Sequence, residues 1–123
     1  MAQRVSLQMK SMITGGGELR VWLDEARVPN PGDDEVIVRI DAAPVNPADL
    51  LVLFGPADLS TLRAAGDGRR GITADVPAVR LPALTTRLDV ALPLGNEGAG
   101  VVVDAGRAAK HLIGRTVALR DAM

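Results

Sequence analysis

Apolar and polar residues alternate along the first part of the chain. At positions 4–10, Val5, Leu7 and Met9 fall on one face, and charged or polar residues fall on the other. A period of two is typical of a strand with one half-buried face. The same alternation predicts strands at 18–25 and 35–42, with these residues turned inward: Leu19, Val21, Leu23, Val36, Val38 and Ile40. Glycine- and proline-rich turns separate the three stretches, which favours a β-rich domain over a βαβ fold.

The periodicity changes at "VNPADLLVLFG", where leucines recur at helical spacing. Asn46 is a favourable N-cap, Pro47 suits the first helical position, and Asp49 is favourable in the first turn. Gly55 can end the helix. These signals predict a short helix at about 47–54.

The stretch 56–92 has no single dominant pattern. Short helices near 58–65 and 82–88 and a strand near 74–80 are the expectations. A connection of this length suggests a functional lobe or an insertion. Beyond it, "GAGVVVDAG" predicts a strand buried on both faces, and "GRTVALRDAM" predicts another strand. Because the chain ends so soon after that strand, we expect a truncation.

The glycine cluster "GNEGAG" at 95–100 does not match a dinucleotide-binding loop. Such a loop has the order G-x-G-x-x-G, follows a strand and opens a helix. Here the gaps differ and a strand follows. From the residues alone, Gly98 and Gly100 let a strand approach its neighbours closely.

Composition excludes several classes of function. The net charge of −1 gives no general attraction to nucleic acid or to an anionic membrane. Trp22 and Phe54 are the only aromatic residues, which argues against a stacking platform for single-stranded nucleic acid. There is no cysteine, so disulfides and thiolate metal sites are excluded. Without an apolar run of about 18 residues or a signal-peptide core, the default location is cytoplasmic.

Three segments in order, "VNPADLLVLFG", "LPLGNEGAGVVVDAG" and "GRTVAL", resemble the N-terminal catalytic domain of medium-chain dehydrogenases/reductases. The similarity is greatest to the zinc-free NADPH:quinone oxidoreductase branch. The resemblance implies a mainly β fold with short helices, a GroES-like, partly open β-barrel over residues 1–123. It also implies that a Rossmann domain binding most of the NADP(H) follows, before which this chain is truncated.

The resemblance also supplies candidate site residues. Zinc-dependent relatives have cysteine at the position of Asn46 and histidine at that of Asn96, so we expect no zinc and no other metal. Asn46 and Asp49 would lie at the edge of the nicotinamide and substrate cleft, as catalytic and cofactor-binding residues. Glu97 matches the family's glutamate beside the metal position, and Asn96 would donate a hydrogen bond to substrate. Leu51 stands where the branch often has a tyrosine.

Alternatives stay open at each position. Asn46 and Asp49 could serve only to begin the helix, and Glu97 could be structural, paired with an arginine. The arginines of "DGRRG" at 67–71 belong to a solvated loop or contact a cofactor phosphate. The lone His111 is assigned to the surface or to packing.

The function implied is hydride transfer from NADPH to a small quinone or activated alkene (enone), by the catalytic-domain portion of a zinc-independent oxidoreductase. The isolated chain would be inactive without its cofactor domain. The alternative is a stand-alone GroES-like binding or structural module without catalysis. No nucleic-acid or membrane partner is expected, and a homodimer remains open.

Overall fold

Strands dominate the structure, a computed structural model that describes residues 3–120, so the prediction of a mainly β chain with short helices is confirmed. The strands are β1 Arg4–Ile13, β2 Glu18–Val28, β3 Val36–Ala42, β4 Asp58–Ala64, β5 Gly71–Asp75, β6 Leu92–Pro93, β7 Glu97–Ala105 and β8 Thr116–Arg120. One α-helix, α1, spans Pro47–Leu53, and 3-10 helices span Ala78–Leu84 and Lys110–Leu112. Within residues 3–120, no helix is long and apolar enough to cross a membrane.

The chain divides into two compact units. One comprises Val5–Ala26 and Asn46–Leu94, and the other comprises Arg27–Val45 with residues 3–4 and 95–120 of the described chain.

The first unit is built on a five-stranded, open sheet in the order β4-β5-β2-β1-β6. β5 pairs antiparallel with both β2 and β4. The alternation of β2 places Leu19 and Val21 in the core, where they pack with Ile13, Ala74 and Val76. The inward face predicted for β2 is therefore correct at these two leading positions.

The second unit contains a three-stranded, open sheet in the order β3-β7-β8, all antiparallel. Its core consists of Val102, Ala105 and Ala109. Gly100 lies opposite Ile40, and a Cβ at this position would overlap the Arg39 carbonyl oxygen. The prediction that glycine permits a close approach of strands is confirmed at Gly100.

Several predicted inward positions are exposed instead. Val5, Leu7 and Met9 are 56%, 58% and 44% exposed, so the half-buried face predicted for the start of β1 is wrong. The same face becomes buried only further along, at Ser11 and Ile13. Alternation identifies residues that share a face, but burial also depends on how closely another element packs on that face.

Apolar residues of three other strands show the same effect. Leu23 and Ile40 are exposed although they continue the apolar faces of β2 and β3. Val103 is also exposed, so β7 is not buried on both faces as predicted. β8 follows the prediction as far as Arg120, and the remaining predicted positions, 121–123, lie outside the described residues.

The stretch 56–92 is more regular than its sequence suggests. The helix predicted near 58–65 is wrong, because this segment forms β4 and pairs with β5. The strand predicted near 74–80 ends at Asp75, and the 3-10 helix Ala78–Leu84 follows it. The helix predicted near 82–88 overlaps only the end of that 3-10 helix. Local helix propensity in this stretch yields to cross-strand pairing.

Candidate functional site

The start of α1 carries two of the predicted site residues. Asn46 is the N-cap, and Pro47 occupies the first turn. The Asp49 side chain accepts a hydrogen bond from the Asn46 backbone N–H at 2.8 Å, and the two residues form a capping box. Both side chains are half-buried. The predicted helix and its capping residues are confirmed, and Gly55 follows with a φ of 48°.

Side chains from outside the helix hold its last turn. The Ser11 hydroxyl, fully buried on β1, donates to the Leu53 carbonyl oxygen at 3.2 Å. The Arg87 guanidinium donates through Nη2 to the Val52 carbonyl oxygen. Two neighbouring carbonyl groups at the C-terminal end of α1 therefore gain donors that the helix itself does not provide. These two contacts anchor the C-terminal end of the helix whose N-terminal end carries Asn46 and Asp49.

Arg87 is an unusual anchor because its cation is partly removed from water. Its Nε is buried and has no hydrogen-bond partner within residues 3–120. Burial lowers the pKa of the guanidinium from its ordinary value. Arg87 thus contributes a donor to α1 at some cost in desolvation.

Asn96 and Glu97 lie at the other predicted position, at the start of β7. Both are exposed. Glu97 stands directly opposite Arg120 on β8, and opposite charges at such positions stabilise a pair of strands. This register favours the structural interpretation of Glu97. Glu97 and Arg120 also border a groove of about 540 Å³ at this end of the three-stranded sheet.

The predicted site residues therefore form two pairs. Asn46 and Asp49 are in direct contact within the first unit. Asn96 and Glu97 are adjacent in the second unit. Among residues 3–120, no group of three or more histidine, cysteine, aspartate or glutamate side chains is arranged to hold a metal ion.

A third location was missed by sequence reasoning. A groove of about 670 Å³ lies over the outer face of β2, β4 and β5, and we call it the Trp22 groove after the chain's only tryptophan. It is lined by Met12, Glu18, Arg20, Val21, Trp22, Arg63, Ala64, Ala65, Gly66, Asp67, Arg69, Ile72, Thr73 and Ala91. The signal was present in β2, where Trp22 occupies the polar register of the alternating pattern, opposite the core-facing register of Leu19 and Val21.

The loop beside this groove contains a second feature that the sequence reasoning overlooked. Residues 66–71, "GDGRRG", have the literal spacing G-x-G-x-x-G. They join β4 to the antiparallel strand β5 and open no helix, so the arrangement differs from a dinucleotide-binding turn. Residues 66–70 are exposed, in agreement with the solvated-loop interpretation of 67–71, whereas Gly71 is half-buried as the first residue of β5. Asp67 accepts a hydrogen bond from the Arg69 backbone N–H at 3.1 Å.

Comparison with known proteins adds no family to these observations. No family model matches the chain, and a search of curated proteins finds no match.

Proposed function

We propose that this chain is a GroES-like catalytic domain that acts in zinc-independent, NADPH-dependent reduction of a quinone or an activated alkene. The observation that supports the proposal is the order of three elements along the chain: the capped helix α1 at "VNPADLLVLFG", the glycine-containing strand β7, and β8. These elements contain, in the same order, the three segments that resemble medium-chain dehydrogenases/reductases. A mainly β chain with open sheets is compatible with a partly open barrel.

The proposed reaction requires this domain mainly to position the cofactor and the substrate. When bound, NADPH supplies a hydride, and a quinone or enone accepts it without needing a metal to polarise a carbonyl group. Asp49 already uses one carboxylate oxygen to cap Asn46. The Asn46–Asp49 pair therefore suits a contact at the edge of a nicotinamide better than the main cofactor site. The main cofactor site requires a separate nucleotide-binding domain.

The second candidate is a binding or structural module without catalysis. The capping box at Asn46 and Asp49 and the cross-strand position of Glu97 opposite Arg120 support it, because each gives a predicted site residue a structural role. Fold similarity alone carries no function, so the two candidates are separated by activity.

The decisive experiment uses the natural protein, purified from its source with any domain or subunit that accompanies it. NADPH oxidation is measured by absorbance with a benzoquinone and with a simple enone, before and after dialysis against EDTA. The proposal expects turnover that depends on the acceptor and survives EDTA. An intact protein that neither binds nor oxidises NADPH would refute the proposal and favour the structural module.

Variants then test the site itself. Asn46→Asp preserves an N-cap of similar quality but removes the amide donor. Asn96→Ala removes an exposed amide, and Asn30→Ala, in the turn before β3, is its matched control. We expect the first two variants to lower turnover about tenfold, equivalent to about 1.4 kcal/mol in the transition state. Equal activity of all three variants would remove these residues from the site.

A further inference from the structure

The polar face of the five-stranded sheet has an open space beside its only tryptophan. Trp22 lies directly opposite Gly71 on β5. Beyond Gly71, Ala65 donates its backbone N–H to the Gly71 carbonyl oxygen at 3.0 Å. The row is thus Ala65, which directly follows β4, then Gly71 and the half-buried Trp22, so only small residues lie beside the indole on this side.

Gly71 is required for this arrangement. A Cβ at Gly71 would overlap the Val21 carbonyl oxygen and would lie 3.2 Å from both Cα and Cβ of Trp22. The absence of a side chain here therefore serves strand packing and also keeps the groove open next to Trp22. The volume of about 670 Å³ is in the range of small-molecule sites.

The next row along the sheet supplies positive charge. Thr73 lies opposite both Arg20 on β2 and Arg63 on β4, so all three residues share the face of Trp22. The Glu18 carboxylate lies between the two guanidinium groups, 2.7 Å from Arg20 Nε and 3.2 Å from Arg63 Nη2.

Arg20 is the better placed of the two arginines to bind an anion. Arg63 Nη2 also contacts the Asp75 carboxylate at 3.0 Å, so its charge is shared by two acidic groups. The nearby Asp67 and Asp89 carboxylates act on the Arg20 charge and, with Glu18, raise the pKa of its guanidinium. The direct contact of Arg20 with Glu18 uses Nε and does not occupy the two terminal amino groups of Arg20. That pair of parallel donors matches the two oxygens of a carboxylate.

We propose that the Trp22 groove binds a small, flat aromatic carboxylate, with its ring against Trp22 beside Gly71 and its carboxylate on Arg20. An aromatic ring gains from stacking on indole as well as from burial. The groove uses none of the residues assigned to hydride transfer, so this inference is independent of the proposed function.

The chain offers an internal reporter for the test. Trp22 is its only tryptophan, so protein prepared with 5-fluorotryptophan gives one fluorine resonance from the groove. Three probes separate the contributions: 2-naphthoate is flat and anionic, 2-naphthylmethanol is flat and neutral, and cyclohexanecarboxylate is anionic but not flat. Each is titrated by fluorine NMR, and the affinity is confirmed by calorimetry.

We expect 2-naphthoate to shift the resonance saturably and to bind about tenfold or more tightly than either other probe. Against 2-naphthylmethanol, this ratio corresponds to one charge-assisted hydrogen-bonded contact. Against cyclohexanecarboxylate, it corresponds to the stacking and burial of the flat aromatic ring. Arg20→Gln should weaken 2-naphthoate by about the same factor and leave 2-naphthylmethanol unchanged, whereas Arg27→Gln, on the same strand, should change neither. Ala65→Leu should weaken both flat probes by filling the space beside the indole.

Any of the following results would overturn the proposal: no shift with 2-naphthoate at millimolar concentration, equal affinity for all three probes, or equal losses in Arg20→Gln and Arg27→Gln. The ranking of probes on the unaltered protein decides the question even if a variant fails to fold. A preference for a cationic aromatic compound over 2-naphthoate would also refute it, because the carboxylates of the groove would then dominate.

Discussion

Replacing Ser11 with alanine should destabilise the protein by loosening the end of α1. Ser11 is the one polar residue that is fully buried among residues 3–120, and its hydroxyl donates to the Leu53 carbonyl oxygen at 3.2 Å. Alanine keeps most of the volume but removes the donor. The carbonyl group of the half-buried Leu53 then loses this partner, and a buried polar group left without a hydrogen bond costs about 1–3 kcal/mol.

That cost would be easy to detect. Domains of ordinary stability unfold with about 5–15 kcal/mol, so the loss is a substantial fraction of the total. For a chain of this size, each kcal/mol corresponds to about 3–5 °C in the unfolding midpoint. Urea and thermal unfolding followed by circular dichroism give both numbers. Ser6→Ala is the matched control, because Ser6 is exposed on the same strand, and a change within about 0.5 kcal/mol is expected.

The reasoning also predicts a coupling with Arg87. Ser11 and Arg87 hold neighbouring carbonyl groups of the same helical turn. If α1 loosens in Ser11→Ala, the contact of Arg87 with Val52 is weakened as well, so Arg87→Met should have a smaller effect in that background than alone. The argument is refuted if Ser11→Ala unfolds at the same midpoint as Ser6→Ala, or if the two anchor substitutions are strictly additive.

Three further substitutions test other parts of the structure. Gly100→Ala should abolish cooperative unfolding, because its Cβ would meet the Arg39 carbonyl oxygen. The control Gly66→Ala has open space around it and should change the unfolding midpoint little. Equal unfolding midpoints for the two variants would contradict the packing argument. The Asp104 carboxylate accepts hydrogen bonds from the Ala105 backbone N–H and from the Arg4 guanidinium, which lower its pKa. Its charged form therefore stabilises the fold above the ordinary pKa of about 4, and this stabilisation is lost as the pH falls through the lowered pKa. Asp104→Asn should therefore lose less stability than the natural protein as the pH falls below about 4, and an equal loss of stability with pH in urea unfolding would refute this. Asp49→Ala should lower the free energy of unfolding by about 1 kcal/mol, because the acceptor for the Asn46 backbone N–H is lost. Asp49→Asn retains an acceptor and should lose less. Equal losses of stability for the two variants in urea unfolding would contradict the capping role.

Sequence rules correctly predicted the elements that are determined by residues adjacent in the chain. The bounds of α1 followed from a cap, a proline and an acidic first turn, and the structure places all three as expected. The core-facing positions Leu19 and Val21 followed from the alternation in β2. In these cases, a few consecutive residues contain all the information that determines the conformation.

The failures arise where a distant segment decides the outcome. Residues 58–64 have leucine and alanine content that suits a helix, but pairing with β5 makes them a strand. Val5 and Leu7 alternate like core residues and are exposed, because burial depends on what packs against them. The Trp22 groove has the same origin, since it lies over a sheet in which Trp22 is paired with Gly71, about 50 positions further along the chain.

The candidate site shows why a local signal does not by itself establish function. Asn46 and Asp49 belong to a segment that resembles a reductase, and they also form a complete capping box. Either role alone would explain why these two residues are present. The two explanations make different demands on chemistry, because capping needs only an acceptor at Asp49, whereas an electrostatic role beside a cofactor needs the negative charge. Asp49→Asn separates them: retained stability with lost turnover assigns the charge to function, and retained stability with retained turnover assigns Asp49 to the helix alone.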